Sequence, residues 1–234
     1  MYAQGDFMKH ILKLVYRFVM VIGCGWGLVL TFGLDKGMFN PAMLVYYTLQ
    51  SNLVIVVAYG FLIIRSLMQS IRSHKVEAVD YSPNIMGALT IMIVVTGLIF
   101  NFILAHQSGS GGLSAGSLSN FLVHTFTPLA VFADWLVFVP KRRLSRLAPF
   151  YWIVIPMLYW AFAIVRAQIG GPLANGSYYP YPFIDFDKFG IGYVLRYVAV
   201  LVVFFVILGY LMLGLNALII KLQRQDTSSR KAQE

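Results

Sequence analysis

Residues 191–219 read IGYVLRYVAVLVVFFVILGYLMLGLNALI, and Arg196 is the only charged residue among them. A helix that crosses the hydrocarbon core of a bilayer, about 30 Å thick, needs roughly 20 mostly apolar residues. Charged side chains inside hydrocarbon are costly, so a long run with a single charge is typical of a membrane helix. The stretch therefore predicts a membrane-spanning helix.

Five further stretches of the chain meet the same criterion of length and apolar character. The six predicted spans cover residues 14–34, 43–64, 84–105, 118–139, 149–169 and 191–219. Apolar residues make up 59% of the 234 residues and charged residues only 12%, and the mean hydropathy is +0.74. An ordinary soluble domain is excluded by this composition. We predict an all-α polytopic membrane protein that forms a single transmembrane domain, residues 1–234.

The basic residues are distributed unevenly between the two ends of the predicted bundle. The formal net charge is +9, and 14 of the 18 Lys and Arg residues fall in the N-terminal tail, the second and fourth loops and the C-terminal tail, or close to them. Cytoplasmic loops carry such an excess, so both termini are predicted to be cytoplasmic. Topology alone accounts for the basic excess, and we expect no nucleic-acid partner.

The sequence offers no pattern typical of a metal site, and we expect neither a metal nor another cofactor. Cys24 is the only cysteine, which excludes a thiolate cluster. Asp134 lies in span four about 15 Å along the helix from His124, so it cannot orient that imidazole directly. We expect Asp134 to pair with the cationic loop at residues 141–146. Residues 112–116 read GLSAG, a nucleophile-elbow pattern, but no strand precedes Ser114, and we interpret the segment as a connector.

Polar residues inside predicted spans are the first candidates for function. Thr48 lies about five residues into span two and His124 about six into span four, so both are expected about 8–9 Å below the outer boundary. A hydroxyl and an imidazole at matched depth can meet if the two helices are neighbours. Ser51 and Asn52 follow Thr48 by three and four residues, which places them on the same helix face.

Other polar residues are expected in the same outer half of the bundle. They are Gln50, Asn101, Arg166, Arg196 and Asp185. Asp185 belongs to an aromatic and proline-rich segment, YYPYPFIDFD at residues 178–187. One interpretation of this segment is an aromatic belt at the membrane interface. The other is a lid over the outer site, with Asp185 turned inward to meet Arg196, Arg166 or His124.

Three of these motifs resemble the androgen-induced six-span membrane protein family and its bacterial relatives. They are YTLQSN at residues 47–52, HTFTP at residues 124–128, and the aromatic segment at residues 179–187. The order of spans is similar over nearly the whole chain. Membership would imply a multi-pass protein of the bacterial inner (cytoplasmic) membrane.

The resemblance implies an activity. Animal members of that family are threonine hydrolases that cleave fatty acid esters of hydroxy fatty acids, with a Thr and a His from membrane helices as the catalytic pair. Carried over, Thr48 is the expected nucleophile and His124 its general base. Gln50, Asn52 or Asn101 would donate hydrogen bonds to the oxyanion, with Ser51 supporting them. Arg196 or Arg166 would hold the carboxylate of a lipid substrate that enters from the bilayer.

Two other classes of function stay open on the sequence alone. Six spans and a polar cluster also fit a small-molecule or lipid transporter or channel, although transport sites usually lie near the midplane. A non-catalytic lipid-binding membrane protein is the third interpretation. Gly23, Gly25 and Gly27 fit close helix packing within one chain or between chains, so the oligomeric state is left open.

Overall fold

The computed structural model describes residues 4–104, 117–174 and 176–231, and these are largely helical, with no β-strand among them. Within these ranges six helices are long and apolar enough to cross a membrane, which indicates an integral multi-pass membrane protein. Their bounds are α1 Gln4–Phe32, α2 Tyr47–Ser73, α3 Pro83–Leu104, α4 Leu118–Val137, α5 Ala148–Ile169 and α6 Ile191–Lys231. The GLSAG segment with Ser114 lies outside the described residues.

The chain divides into two compact units. The first, Met1–Val139, contains α1 to α4, and the second, Pro140–Glu234, contains α5 and α6. In the first unit α3 and α4 are the most enclosed helices, since 56% of the apolar segment of each is buried, against 28% for α1 and 22% for α2. The core of this unit therefore lies along α3 and α4.

The start of α2 differs from the prediction, which placed it at residue 43. Asn40 caps a short 3-10 helix, Pro41–Val45, by accepting a hydrogen bond from Ala42 N, and the α-helix begins only at Tyr47. Proline at the first position of such a turn fixes φ and favours a local helical start. Thr48 is consequently the second residue of α2 and not the fifth of a longer span.

The ends of several helices also extend beyond the predicted spans. Helix α2 continues to Ser73, where His74 adopts the left-handed conformation, and α6 continues to Lys231. Lys, Arg, Gln and Ser are tolerated in helices outside hydrocarbon, so a helix does not stop where its apolar run stops. Hydropathy marks the part of a helix that fits the bilayer, not its whole length.

Both α3 and α4 contain a π-helical segment, Phe100–Leu104 in α3 and Leu122–Phe126 in α4. Three glycines of neighbouring helices face the segment in α4 or the residues beside it. A Cβ at Gly27 would lie 2.8 Å from Leu122 Cβ, one at Gly97 would lie 2.9 Å from Pro128 Cβ, and one at Gly23 would meet the Phe126 ring. Because these three glycines have no side chain, α1 and α3 can approach α4 closely.

The second unit is fixed by contacts between its two helices and the loop that precedes them. Asn216 Nδ2 of α6 donates to Arg142 O at 2.9 Å, and Tyr210 Oη donates to Arg146 O at 3.3 Å. A Cβ at Gly209 would lie 2.7 Å from Pro149 Cβ, so glycine permits the approach of α6 to the start of α5. The loop at residues 140–147 is thereby held against α6.

Candidate functional site

Thr48 lies in the first turn of α2 and is buried, with 6% of its surface exposed. Among the described residues, its hydroxyl and its backbone N–H have no recorded hydrogen-bond partner. The first N–H groups of a helix lack an intrahelical acceptor, which explains the free amide. A buried hydroxyl beside a free N–H at a helix N-terminus is an arrangement suited to a nucleophile.

Asn52 connects the Thr48 segment to the His124 segment. Its Nδ2 donates to Thr48 O at 2.8 Å and to Val123 O at 3.0 Å. These two carbonyl oxygens are therefore no more than about 6 Å apart. The first turn of α2 and the π-helical segment of α4 are neighbours at the same level of the first unit.

His124 is held by a ring stack and one hydrogen bond. Its imidazole lies parallel to the Phe100 ring, with a centroid distance of 3.5 Å and an interplanar angle of 13°. Nδ1 is 3.2 Å from Asn120 O, which requires the proton on Nδ1 if the ring is neutral. Nε2 is then the nitrogen with a lone pair, and no hydrogen bond is recorded for it within the described ranges.

The Thr48 hydroxyl and the His124 imidazole do not form a hydrogen bond with each other. Each belongs to the first unit, each is buried, and the Asn52 amide joins their segments. Catalytic hydrogen bonds are often long in a structure without substrate and tighten when it binds. The catalytic pairing of these two residues stays a prediction.

Asn101 joins the two π-helical segments. Its Nδ2 donates to Gly97 O and His124 O, each at 2.9 Å, and lies 3.3 Å from Thr125 Oγ1. π-Helical segments frequently mark functional sites, because an extra residue in a turn displaces side chains and frees backbone groups. These segments were not predicted. Pro128 was the available signal in α4, because a proline has no N–H for the carbonyl four residues earlier, that of His124, and its ring crowds that carbonyl.

The side chains expected to stabilise an oxyanion differ in how many of their hydrogen-bond donors are already used within the protein. Both N–H groups of Asn52 point to backbone carbonyls, and the Asn101 amide is engaged in the same way. Gln50 Nε2 donates to Leu44 O at 2.8 Å, which leaves its second N–H. Ser51 Oγ contacts Thr48 O and Thr96 Oγ1, each at 3.0 Å. Asn52, Asn101 and Ser51 thus position helices.

Asp185, Arg166 and Arg196 belong to the second unit. Asp185 accepts hydrogen bonds from Ser177 Oγ at 2.7 Å and from Lys188 N at 2.9 Å, so it caps the short helix Phe186–Phe189. No ion pair joins Asp185 to either arginine in the described part of the chain, so the pairing expected under the lid interpretation is not seen there, and the lid itself stays a prediction. A carboxylate that caps a helix is already stabilised by the N–H it accepts from.

The aromatic segment packs against the helices of its own unit. Tyr179 and Ile184 are buried with Ala163 and Ala167 of α5, and further aromatic side chains surround them. Arg166 Nη1 donates to Tyr178 O at 3.0 Å and fixes the start of the segment. Arg196 is exposed on α6. The expected role of both arginines in carboxylate binding stays a prediction.

A buried ion-pair network in the first unit was not predicted. Arg17 of α1 is fully buried, and its Nε and Nη2 donate to the two carboxylate oxygens of Asp134, each at 2.9 Å. Nη2 also donates to Asp80 Oδ1 at 2.6 Å, and Nη1 to Val79 O at 2.8 Å. Four of the five guanidinium N–H groups therefore have an acceptor.

Lys13 and Tyr59 complete this network. Lys13 Nζ pairs with Asp80 Oδ2 at 2.5 Å, and Tyr59 Oη donates to Asp134 Oδ2 at 3.2 Å. The expected pairing of Asp134 with the loop at residues 141–146 is wrong, because Asp134 is fully buried beside α1. The signal available in the sequence was the single arginine inside span one, which needs a buried carboxylate partner.

The described residues contain no group of three or more His, Cys, Asp or Glu side chains that could hold a metal ion. Cys24 is buried, and its Sγ lies 3.3 Å from Asn52 Oδ1, so it contributes to the Asn52 contacts. Comparisons of the chain with protein-family models, with curated proteins and with solved structures found no match.

Proposed function

We propose that the protein is an intramembrane lipid esterase in which Thr48 is the nucleophile and His124 the general base. The observation that carries the proposal is the Asn52 amide, which holds the Thr48 segment and the residue before His124 by two hydrogen bonds. Two buried groups with the right chemistry thereby occupy neighbouring segments of one unit. The resemblance of both motifs to a family of threonine hydrolases is the second support.

The proposed mechanism uses Nε2 of His124 as the base. A threonine hydroxyl is a weak nucleophile unless a neighbouring base takes its proton during attack. Because Nδ1 faces Asn120 O, the free lone pair is on Nε2. The Phe100 stack keeps the imidazole from rotating. Nε2 needs to approach Thr48 Oγ1 when substrate binds.

The proposed oxyanion donors are the Thr48 backbone N–H and the second N–H of Gln50. Within the described residues no acceptor is found for the Thr48 N–H, and the one Gln50 hydrogen bond, to Leu44 O, leaves its second N–H for the oxyanion. Donors that point to the developing negative charge commonly give the largest share of catalysis in acyl transfer. The positive end of the α2 dipole adds to this stabilisation.

The reaction then has two halves. Thr48 Oγ1 attacks the ester carbonyl carbon while its proton moves to His124 Nε2. The ester C–O bond breaks, the proton passes from Nε2 to the departing alcohol oxygen, and an acyl-threonine remains. Water attacks this acyl group and gives a proton to Nε2, which passes it to Thr48 Oγ1 as the bond between the acyl carbon and Oγ1 breaks. This step releases the fatty acid and restores the Thr48 hydroxyl and the neutral imidazole. The substrate proposed is a fatty acid ester of a hydroxy fatty acid or a similar lipid ester.

The test uses purified full-length protein in detergent with 4-nitrophenyl octanoate as substrate. We expect Thr48→Ala and His124→Ala each to lower kcat at least about 100-fold, in line with loss of a nucleophile or a general base. Thr90→Ala is the matched control, because Thr90 is an equally buried threonine whose hydroxyl only bonds Met86 O. Full activity in Thr48→Ala would exclude the mechanism.

A fluorophosphonate probe separates the esterase from the other classes. We expect covalent labelling of the wild type and of Thr90→Ala, and none of Thr48→Ala. Thermal stabilisation by a fatty acid without any hydrolysis would indicate a lipid-binding protein instead.

The buried network of Arg17 and Asp134 is the one observation that favours a transporter, because buried charges in membrane helices often line ion or substrate pathways. Its two cations and two carboxylates balance, and four of the five N–H groups of Arg17 donate to Asp134, Asp80 and Val79 O. Because the charges are balanced within the network, it offers no net charge to an ionic cargo. Uptake of a labelled lipid or ion by proteoliposomes, without ester hydrolysis, would favour transport over the esterase.

A further inference from the structure

The second unit contains a basic groove at the end of α6. Arg143 of the loop at residues 140–147 and Lys221 and Arg224 of α6 line it, together with the apolar side chains of Ala217 and Ile220, and its volume is about 800 Å³. No carboxylate is among the described residues that line it. No ion pair is recorded for the three cations within the described ranges.

The position of the groove along α6 corresponds to the edge of a bilayer. Residues 191–220 of this helix contain Arg196 as their only charge, and the polar part begins at Lys221. Thirty residues of helix measure about 45 Å, enough to cross the hydrocarbon core of about 30 Å with a margin. The apolar wall thus meets the acyl region, and the three cations meet the headgroup region.

The cations are held together by the fold. Asn216 is buried and donates to Arg142 O at 2.9 Å, which fixes the backbone beside Arg143 against α6. Tyr210 Oη holds the same loop through Arg146 O. Three like charges around one concavity repel one another, and a bound anion removes that repulsion. Arginine is also suited to phosphate, since its planar guanidinium donates two parallel hydrogen bonds.

We propose that this groove binds the phosphate headgroup of an anionic phospholipid, with an acyl chain along Ala217 and Ile220. Clusters of Lys and Arg at the end of a membrane helix attract anionic lipids by about 1 kcal/mol per cation, or about fivefold in affinity. A zwitterionic lipid offers the same phosphate but cancels its charge with an ammonium group. The site is separate from the proposed esterase site, which lies in the first unit.

The test is electron paramagnetic resonance of full-length protein in bilayers of phosphatidylcholine, with spin-labelled phosphatidylglycerol or spin-labelled phosphatidylcholine as probe. We expect the wild type to select phosphatidylglycerol. We expect R143Q/K221Q/R224Q to lose about fivefold in association per cation removed. The charge-keeping variant R143K/K221R/R224K should retain the selectivity. The control K36Q/K188Q, which removes two exposed cations elsewhere, should bind as the wild type does.

Three results would overturn the proposal. One is equal association of the two labelled lipids with the wild type. Another is a wild-type selectivity that survives in R143Q/K221Q/R224Q, or falls as far in K36Q/K188Q. The third is displacement of the labelled lipid by inorganic phosphate at the same ionic strength as a chloride control, which would indicate a soluble anion and not a lipid. Because all three cations are exposed, we expect every variant to fold. Thermal unfolding of each variant checks this.

Discussion

Arg17 and Asp134 show how a single buried pair can dominate the energetics of a membrane helix bundle. Each is fully buried, and two parallel hydrogen bonds of 2.9 Å join them. Moving either charge from water into a low-dielectric interior is costly, and the pair is tolerable only because the partner and further hydrogen bonds compensate. The pair is therefore more costly to break than to replace as a whole.

At this scale we predict that Asp134→Asn lowers the free energy of unfolding by about 3–5 kcal/mol, because it leaves the Arg17 guanidinium without a buried counter-charge. The measurement is denaturant unfolding of the purified protein in mixed micelles. Asp187→Asn is the control, since Asp187 is exposed and should change stability by less than about 0.5 kcal/mol.

A double variant tests the cause of that loss. Arg17→Met combined with Asp134→Leu removes both charges, and we expect it to be more stable than Asp134→Asn alone. Equal stability of the wild type and Asp134→Asn would show that the Arg17–Asp134 pair does not stabilise the contact between helix α1 and helix α4.

The helices of the first unit are joined where their regular geometry is interrupted. The π-helical segment Leu122–Phe126 carries His124, and Gly97 of α3 lies against it, with His124 O and Pro128 Cβ in the space that a side chain would fill. Packing at this density does not absorb an added methyl group without displacing a neighbour. The position of His124 therefore depends on a residue that has no functional group.

At the scale of the element, we predict that Gly97→Ala destabilises the protein by about 1–3 kcal/mol, because the new Cβ would lie 2.9 Å from Pro128 Cβ and 3.0 Å from His124 O. Activity toward 4-nitrophenyl octanoate should fall with it, since the backbone of His124 must move. Gly60→Ala is the matched control. No atom lies within 4 Å of its added Cβ, and alanine is the better helix former. Similar losses in both variants would mean that helix propensity, not the contact with α4, is the cause.

The number of spans was predictable because it depends on local composition. The ends of the helices depend on capping residues, and the contacts depend on which helices are neighbours. Six apolar runs indicate six helices, and the described part of the chain has six of sufficient length and hydropathy. The start of α2 was missed because Asn40 and Pro41 form a separate short turn. Thr48 and His124 were identified as candidates by polarity, but the partner of Asp134 and the role of Asn52 follow from which helices are neighbours.

At the scale of the whole molecule, the two units differ in how they are stabilised. The recorded ion pairs of the described chain all lie in the first unit. The second unit is held by backbone contacts of Asn216, Tyr210 and Arg166 and by an aromatic cluster. Its basic residues at the end of α6 are left available to the membrane. Together with the cations of the N-terminal tail and of the second and fourth loops, they are the basis for the predicted orientation.

An even number of spans places both termini on one side, and the excess of Lys and Arg at that end predicts the cytoplasm. We therefore predict that, in a Cys24→Ala background, a cysteine at Lys36 reacts with a membrane-impermeant maleimide in intact cells, whereas one at Ser229 reacts only after lysis. Lys36 is in an exposed 3-10 turn and Ser229 is exposed on α6, so accessibility within the fold is equal. Cys24 itself is buried, so its replacement mainly removes background labelling. Labelling of the cysteine at Ser229 before lysis would reverse the orientation, and with it the side of the membrane on which the phospholipid groove lies.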